Sequence, residues 1–213
     1  MKRLLLAMMA VSAFAFGGLA LAADNLQAGT DYEAVDPPQP TNVASGQIEV
    51  IEFFSYACPH CYAFEPYLED WSKSRPDNVV LTRIPAVFNG GEWEVTAQSY
   101  YTEQALGTMD KTHQALFDYI HKDHKPMRTK ADAAAFFEQH GVSEKEFSQA
   151  WDSFSVDSDM RRAAAMAKRY QITGVPTMVV NGKYRVDAEM AHNFPNLLKT
   201  VSALVAREQA AAK

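Results

Sequence analysis

The stretch Gln47 to Ser55, QIEVIEFFS, is apolar at Ile48, Val50, Ile51, Phe53 and Phe54, which covers both alternating faces of an extended chain. A strand of that kind needs cover on both sides, so it belongs in the middle of a layered α/β fold. Glu52 interrupts the apolar run. A carboxylate is costly to bury ionised, so the sequence predicts a raised pKa there, with Glu52 able to shuttle a proton of Cys61; the competing reading is an edge position with Glu52 exposed and paired with Arg83. Just past the strand, Cys58-Pro59-His60-Cys61 holds both cysteines of the chain. Tyr62 to Arg75 then carries helical spacing at Phe64, Tyr67, Leu68 and Trp71, with Pro66 expected to kink the helix.

The first 22 residues have a basic start at Lys2-Arg3, an apolar run to about Phe16 and a small-residue end at Ala20-Leu21-Ala22. That is the pattern of a cleaved signal peptide, and it places the mature chain in an exported compartment where disulfides persist. The segment 23–46, with Asp36-Pro37-Pro38-Gln39-Pro40, reads as an extended lead-in with little strand or helix signal. Asn78 to Val87 reads as a second strand, with Pro85 near its end. From about Phe88 to Arg162 the pattern is helical. Asp110 is expected to cap a helix over Thr112 to Lys122, and Thr129/Asp132 and Ser143/Glu146 form capping boxes. Asp159 to Tyr170 reads as another helix, Thr177 to Val180 and Tyr184 to Val186 as strands about an Asn181-Gly182 turn, and Phe194 to Ala211 as a closing helix. Strands at both ends with helices between them fit a single α/β sheet domain, residues 23–87 and 163–213, with an inserted all-helical domain at 88–162. A formal charge of −6, with no basic stripe, excludes nucleic-acid binding by counterion release.

The Cys pair invites four readings. As a structural staple it closes a ring so small that the loop-closure gain is only about 2 kcal/mol. Zinc needs about four N or S ligands, and there is no second Cys pair; His121 and His124 read as a solvated face. A c-type haem needs His after the second cysteine, where Tyr62 stands. A redox dithiol remains. At a helix start the free amides of the first turn favour the Cys58 thiolate, Pro59 suits the first helical position, and a protonated His60 adds charge beside the sulfur. Cys58 is then the attacking sulfur and Cys61 the buried, resolving one. A stabilised thiolate makes the reduced pair comfortable and its disulfide an oxidant that is handed on.

Phe53-Phe54-Ser55-Tyr56, the Cys-Pro-His-Cys-Tyr motif, Phe64-Glu65, Gly174-Val175-Pro176-Thr177 and Asn181-Gly182-Lys183-Tyr184 together resemble the DsbA-like family of thioredoxin-fold oxidoreductases. The resemblance covers almost all of the mature chain. It implies a thioredoxin fold, a central mixed sheet flanked by helices, with the helical insertion. It also implies a cis Pro176 against the Cys pair, with Val175 presenting its backbone to an extended substrate, whereas an X-Pro bond taken alone is more simply trans. Glu65 and Arg83 align with the charges that support a buried acid at Glu52. The implied partners are unfolded exported proteins with free thiols and a DsbB-type membrane quinone reductase, for a periplasmic monomer with no metal and no cofactor beyond the Cys58–Cys61 disulfide.

Three functions remain open on the sequence. The first is a dithiol oxidase that donates the Cys58–Cys61 disulfide. The second is an isomerase or reductase of the same compartment, although 23–46 is too short for the separate dimerisation domain of known isomerases. The third is a peptide-binding holdase whose cysteines are incidental. Met178, Trp151 and Phe194 read as core rather than groove.

Overall fold

A computed structural model of the chain describes residues 26–88 and 90–212; the expected leader at 1–22 lies outside them. The elements run β1 (Glu33–Ala34), β2 (Ile48–Phe54), α1 (Pro59–Ser74), β3 (Val79–Pro85), α2 (Glu92–Leu106), α3 (Met109–His121), α4 (Lys130–Gln139), α5 (Glu144–Trp151), α6 (Phe154–Arg169), β4 (Thr177–Val180), β5 (Tyr184–Asp187), α7 (Ala188–Ala191) and α8 (Phe194–Ala211). The strands form one mixed sheet in the order β1-β5-β4-β2-β3, with β2 parallel to β3 and antiparallel to β4.

Every residue of β2 is buried, as its two-faced apolar pattern requires. One face carries Ile48 and Val50 against Phe64 and Leu68 of α1 and Leu197, Val201 and Leu204 of α8. The other carries Ile51 and Phe53 into a larger core with the helices between β3 and β4, where Phe136, Phe137 and Phe147 are almost wholly buried. Each such side chain contributes about 1.5–3 kcal/mol through lost apolar exposure. Phe54, at the end of β2, packs edge-on against Tyr56 and Tyr100, each at 5.2 Å between ring centres, and so ties the strand to α2.

Both expected capping boxes form, at Thr129/Asp132 and Ser143/Glu146. Asp110 does not cap α3: the helix begins at Met109 behind Thr108, and Asp110 sits in its first turn, where a negative charge suits the helix dipole. The helix expected from Asp159 starts at Phe154, because the Ser153 hydroxyl accepts from the Val156 amide and opens it earlier; it runs through position 162 to Arg169. The lead-in is not strandless either. Glu33 and Ala34 form β1, an edge strand antiparallel to β5. The Asn181-Gly182 turn is present with φ of 50° and 67°, and a Cβ at Gly182 would collide with the Gln39 carbonyl.

Candidate active site

The carboxyl end of β2 delivers the chain through Ser55, Tyr56 and Ala57 to the start of α1, where Cys58 is the N-cap and Pro59 the first helical residue. Pro59 has no amide to leave unsatisfied at that position. The buried stripe of α1 is Cys61, Phe64, Glu65 and Leu68, one helical face turned to the sheet, while Tyr67 is 46% exposed and lies outside the core where the spacing had placed it. Cys58 and Cys61 are both free thiols, 6% and 0% exposed. The Cys58 thiol donates to the Val175 carbonyl at 3.5 Å, and the Val175–Pro176 bond is cis.

The hydrogen bond from the Cys61 thiol is the largest influence holding the Cys58 thiol down, to about 6; burial opposes it, and the Cys61 and His60 amides and the His60 charge add to it. The sequence reading gave the amides and His60 the leading part, and the second sulfur outranks both. Burial pushes the Cys61 thiol well up, reinforced by its hydrogen bond to Cys58 and by the charges of Cys58 and Glu52. One sulfur is thus prepared as a thiolate and the other as a thiol.

Glu52 is fully buried, which excludes the exposed edge position, and it pairs with Arg83, whose Nε donates to Oε2 at 3.0 Å. Arg83 also donates to Glu65. Burial raises the Glu52 carboxyl, the Arg83 guanidinium opposing and the Glu65 charge assisting. Burial pushes Glu65 up as well, but the His113 hydrogen bond and the Arg83 charge outweigh it, and Glu65 ends below the ordinary range. Arg83 is therefore shared between an ionised Glu65 and an acid held by burial near neutrality. Glu52 Oε1 is buried, with no hydrogen-bond partner among the described residues.

Beside the Cys pair opens a cavity of about 630 Å³ lined by exposed His60, by Tyr67, Val175 and Pro176, and by Glu189 and Phe194 from the far side. Phe194, expected in the core, is a wall of this groove; Met178 and Trp151 are buried as expected. Its position directly beside His60 and the Val175-Pro176 loop suits an extended peptide.

The model of the DSBA-like thioredoxin domain matches residues 49–199. The thiol:disulfide interchange protein DsbA of Pseudomonas aeruginosa is 42% identical over 213 residues, covering 100% of both chains. The crystal structure of Pseudomonas aeruginosa DsbA superposes with a TM-score of 0.83 at 42% identity, over 89% of this chain and 98% of that one. The chain belongs to the DsbA-like family. A Xylella fastidiosa DsbA structure, at 34% identity and TM-score 0.81 over 87% of this chain and 98% of that one, shares the fold of this DsbA-like chain as well.

The site residues expected from the sequence lie together in this DsbA-like site: Cys58, Pro59, His60 and Cys61 at the head of α1, Val175 and Pro176 against Cys58, and Glu52, Arg83 and Glu65 joined by hydrogen bonds. Sequence reasoning missed a further group. The Tyr56 hydroxyl lies 2.6 Å from Glu103 Oε2 and 2.5 Å from His113 Nδ1, and His113 Nε2 lies 3.2 Å from Glu65 Oε1. Glu103 is wholly buried on α2, and only its position on an otherwise core-facing helix could have hinted at it. His121, expected on a solvated face, instead stacks on Tyr62 and meets the Tyr56 carbonyl at 2.7 Å.

Proposed function

We propose that this thiol:disulfide oxidoreductase acts as a donor in the periplasm, reached through the signal peptide at 1–22, and takes extended exported proteins with free thiols in the groove beside Pro176. A Proteus DsbA structure with a non-covalently bound peptide, PWATCDS, at 27% identity and TM-score 0.72, supports an extended cysteine peptide as the kind of ligand. The observation that carries the direction of flow is the opposed pair of thiols, Cys58 held low and Cys61 pushed high.

A substrate thiolate attacks Cys58 Sγ of the oxidised pair; a substrate–Cys58 bond forms, the Cys58–Cys61 bond breaks, and Cys61 leaves as a thiolate. Glu52 supplies its proton to Cys61, whose burial disfavours the anion. A second substrate thiolate then attacks the substrate sulfur of the mixed disulfide, and Cys58 leaves as its stabilised thiolate. Two electrons pass from substrate to the Cys pair, one proton stays on Cys61, and the rest go to solvent.

His60 stands at the groove mouth beside Cys58, and Val175 offers its backbone to a substrate strand. A DsbB-type quinone reductase restores the disulfide, the chain works as a monomer without metal or cofactor, and 88–162 is an inserted domain between the halves 23–87 and 163–213. The test is transfer to a reduced two-cysteine peptide, followed by mass: oxidised protein should yield the peptide disulfide, and Cys58→Ser should abolish transfer. Peptide binding without any transfer by the native pair would overturn the donor reading in favour of a holdase.

A further inference from the structure

The buried polar groups do not end at Arg83. From Glu65 on α1, hydrogen bonds continue to His113 on α3, to Tyr56 in the loop before the Cys pair, and to Glu103 on α2, all with little or no exposure. The donor bookkeeping along this chain has few solutions. Glu65 accepts from Arg83, so it is an acceptor, and His113 Nε2 must carry a hydrogen to meet it. Tyr56 has one hydrogen but two close partners, so either Glu103 or His113 Nδ1 must bring the second. The first choice is a protonated Glu103 with a neutral His113. The second is an ionised Glu103 with a cationic His113.

The surroundings choose the first. Burial pushes Glu103 up to about 8, with the Tyr56 and Thr112 hydroxyls pulling the other way. Burial and the Arg83 charge hold the His113 imidazole below its ordinary range, against the Glu65 carboxylate. Glu103 Oε1 has no hydrogen-bond partner among the described residues, a deficit a neutral acid bears more easily than an anion. Among the described residues, the other elements add no competing charge at Glu103. Tyr100 on α2 itself is a neutral phenol whose pKa is raised by burial, and Arg162 and Asp159 of α6 act on Tyr101 instead. On α4 and α5, Lys130, Glu138, Glu144, Lys145 and Glu146 are exposed, and Asp132 is occupied in capping α4.

We propose that Glu103 is the proton reserve of the active site, a positioning residue that passes its proton through Tyr56 and His113 to Glu65 when Glu52 becomes charged. The inference rests on Glu52 as the proton donor to Cys61. When Glu52 gives up its proton, two carboxylates face one guanidinium in a buried site. Three short transfers correct this. The Glu103 proton moves to Tyr56 Oη, the Tyr56 proton to His113 Nδ1, and the His113 Nε2 proton to Glu65 Oε1. No heavy-atom bond changes, His113 and Tyr56 end neutral, and one negative charge has moved from Glu65 to Glu103. Arg83 is left to hold Glu52 alone, and the displaced charge lies in the helical insertion, away from the sulfurs.

The experiment is the rate of disulfide transfer to a reduced two-cysteine peptide from pH 5 to 9, for the full chain and for Glu52→Gln, Glu103→Gln, Glu103→Leu and Tyr56→Phe. Glu103→Gln keeps the side-chain shape and a donor to Tyr56 but has no proton to give. The expected result is a loss of about three- to tenfold at neutral pH in Glu103→Gln and Tyr56→Phe, with a displaced pH profile, and no further loss when the two are combined. Glu103→Leu, which fills the site without a polar group, should match Glu103→Gln. A wild-type profile in both Glu103 variants, or losses in Glu103→Gln and Tyr56→Phe that add, would overturn the relay while leaving Glu52 in place. A wild-type profile in Glu52→Gln would overturn the Glu52 reading itself, and the relay with it.

Discussion

Arg83 stands opposite Glu52 in the register of two neighbouring parallel strands, and its Nε donates to Oε2 across 3.0 Å. This places a cation beside a buried carboxylate of β2, and the same guanidinium reaches Glu65 on α1. Arg83→Met should leave both acids without their cation. The expected loss of stability at pH 7 is about 2–3 kcal/mol, less than for a wholly buried pair because 23% of the Arg83 side chain is exposed. Urea unfolding at pH 7 and pH 5 checks it, with a smaller difference at pH 5, where the acids protonate more readily.

The Cys58 thiol gives the reduced chain a pH dependence that the oxidised chain lacks. Its folded pKa lies below its unfolded value, so the stabilisation is fully present above the ordinary cysteine range and is lost as pH falls through about 6. Thermal unfolding of both redox forms across pH 4 to 9 should show the reduced form losing its advantage through that window. The midpoint potential should likewise change by about 30 mV per pH unit above 6 and by about 59 mV below it.

Because Cys61 is the largest influence on Cys58, Cys61→Ala should raise the Cys58 pKa by about a unit or more, and His60→Ala by less. Ultraviolet thiolate absorbance against pH measures both. The same Cys61→Ala variant, given the disulfide-linked dimer of a one-cysteine peptide, should accumulate a peptide–Cys58 mixed disulfide, visible as an added mass: Cys58 attacks the dimer, one peptide leaves as a thiolate, and no Cys61 remains to displace the other.

Phe54 joins β2 to the helical insertion through Tyr56, Tyr100 and the edge of His113. Phe54→Ala should cost about 3–5 kcal/mol by cavity formation. Denaturant titration reads the loss, and an effect below about 1 kcal/mol would show that this contact does not join the layers.

Much of this site is legible in the chain because its chemistry is local. The apolar run of β2, the Cys pair at a helix start and the Asn-Gly turn each declare themselves within a few residues. Glu52 is legible too, as a carboxylate set among Val50, Ile51, Phe53 and Phe54, although Glu49 of the same strand is buried as well. Glu103 and His113 are not, because nothing within a helix of mixed composition says which turn will face Tyr56; that depends on how α2 packs against β3 and α3, and α3 against α1. Phe194 was misplaced for a related reason: its apolar character is satisfied at a groove wall as well as in a core. Helices α3 and α6 open earlier than Asp110 and Asp159 suggest, because Thr108 and Ser153 stand ahead of those acidic residues as the N-cap positions.

The most direct test of the donor role is the equilibrium of the protein with defined glutathione ratios at pH 7, with free thiols trapped and counted. The dithiol should persist until the buffer is strongly oxidising, giving a midpoint above about −200 mV. A midpoint near that of a reducing thioredoxin, about −270 mV, would contradict the role and make the chain a reductase.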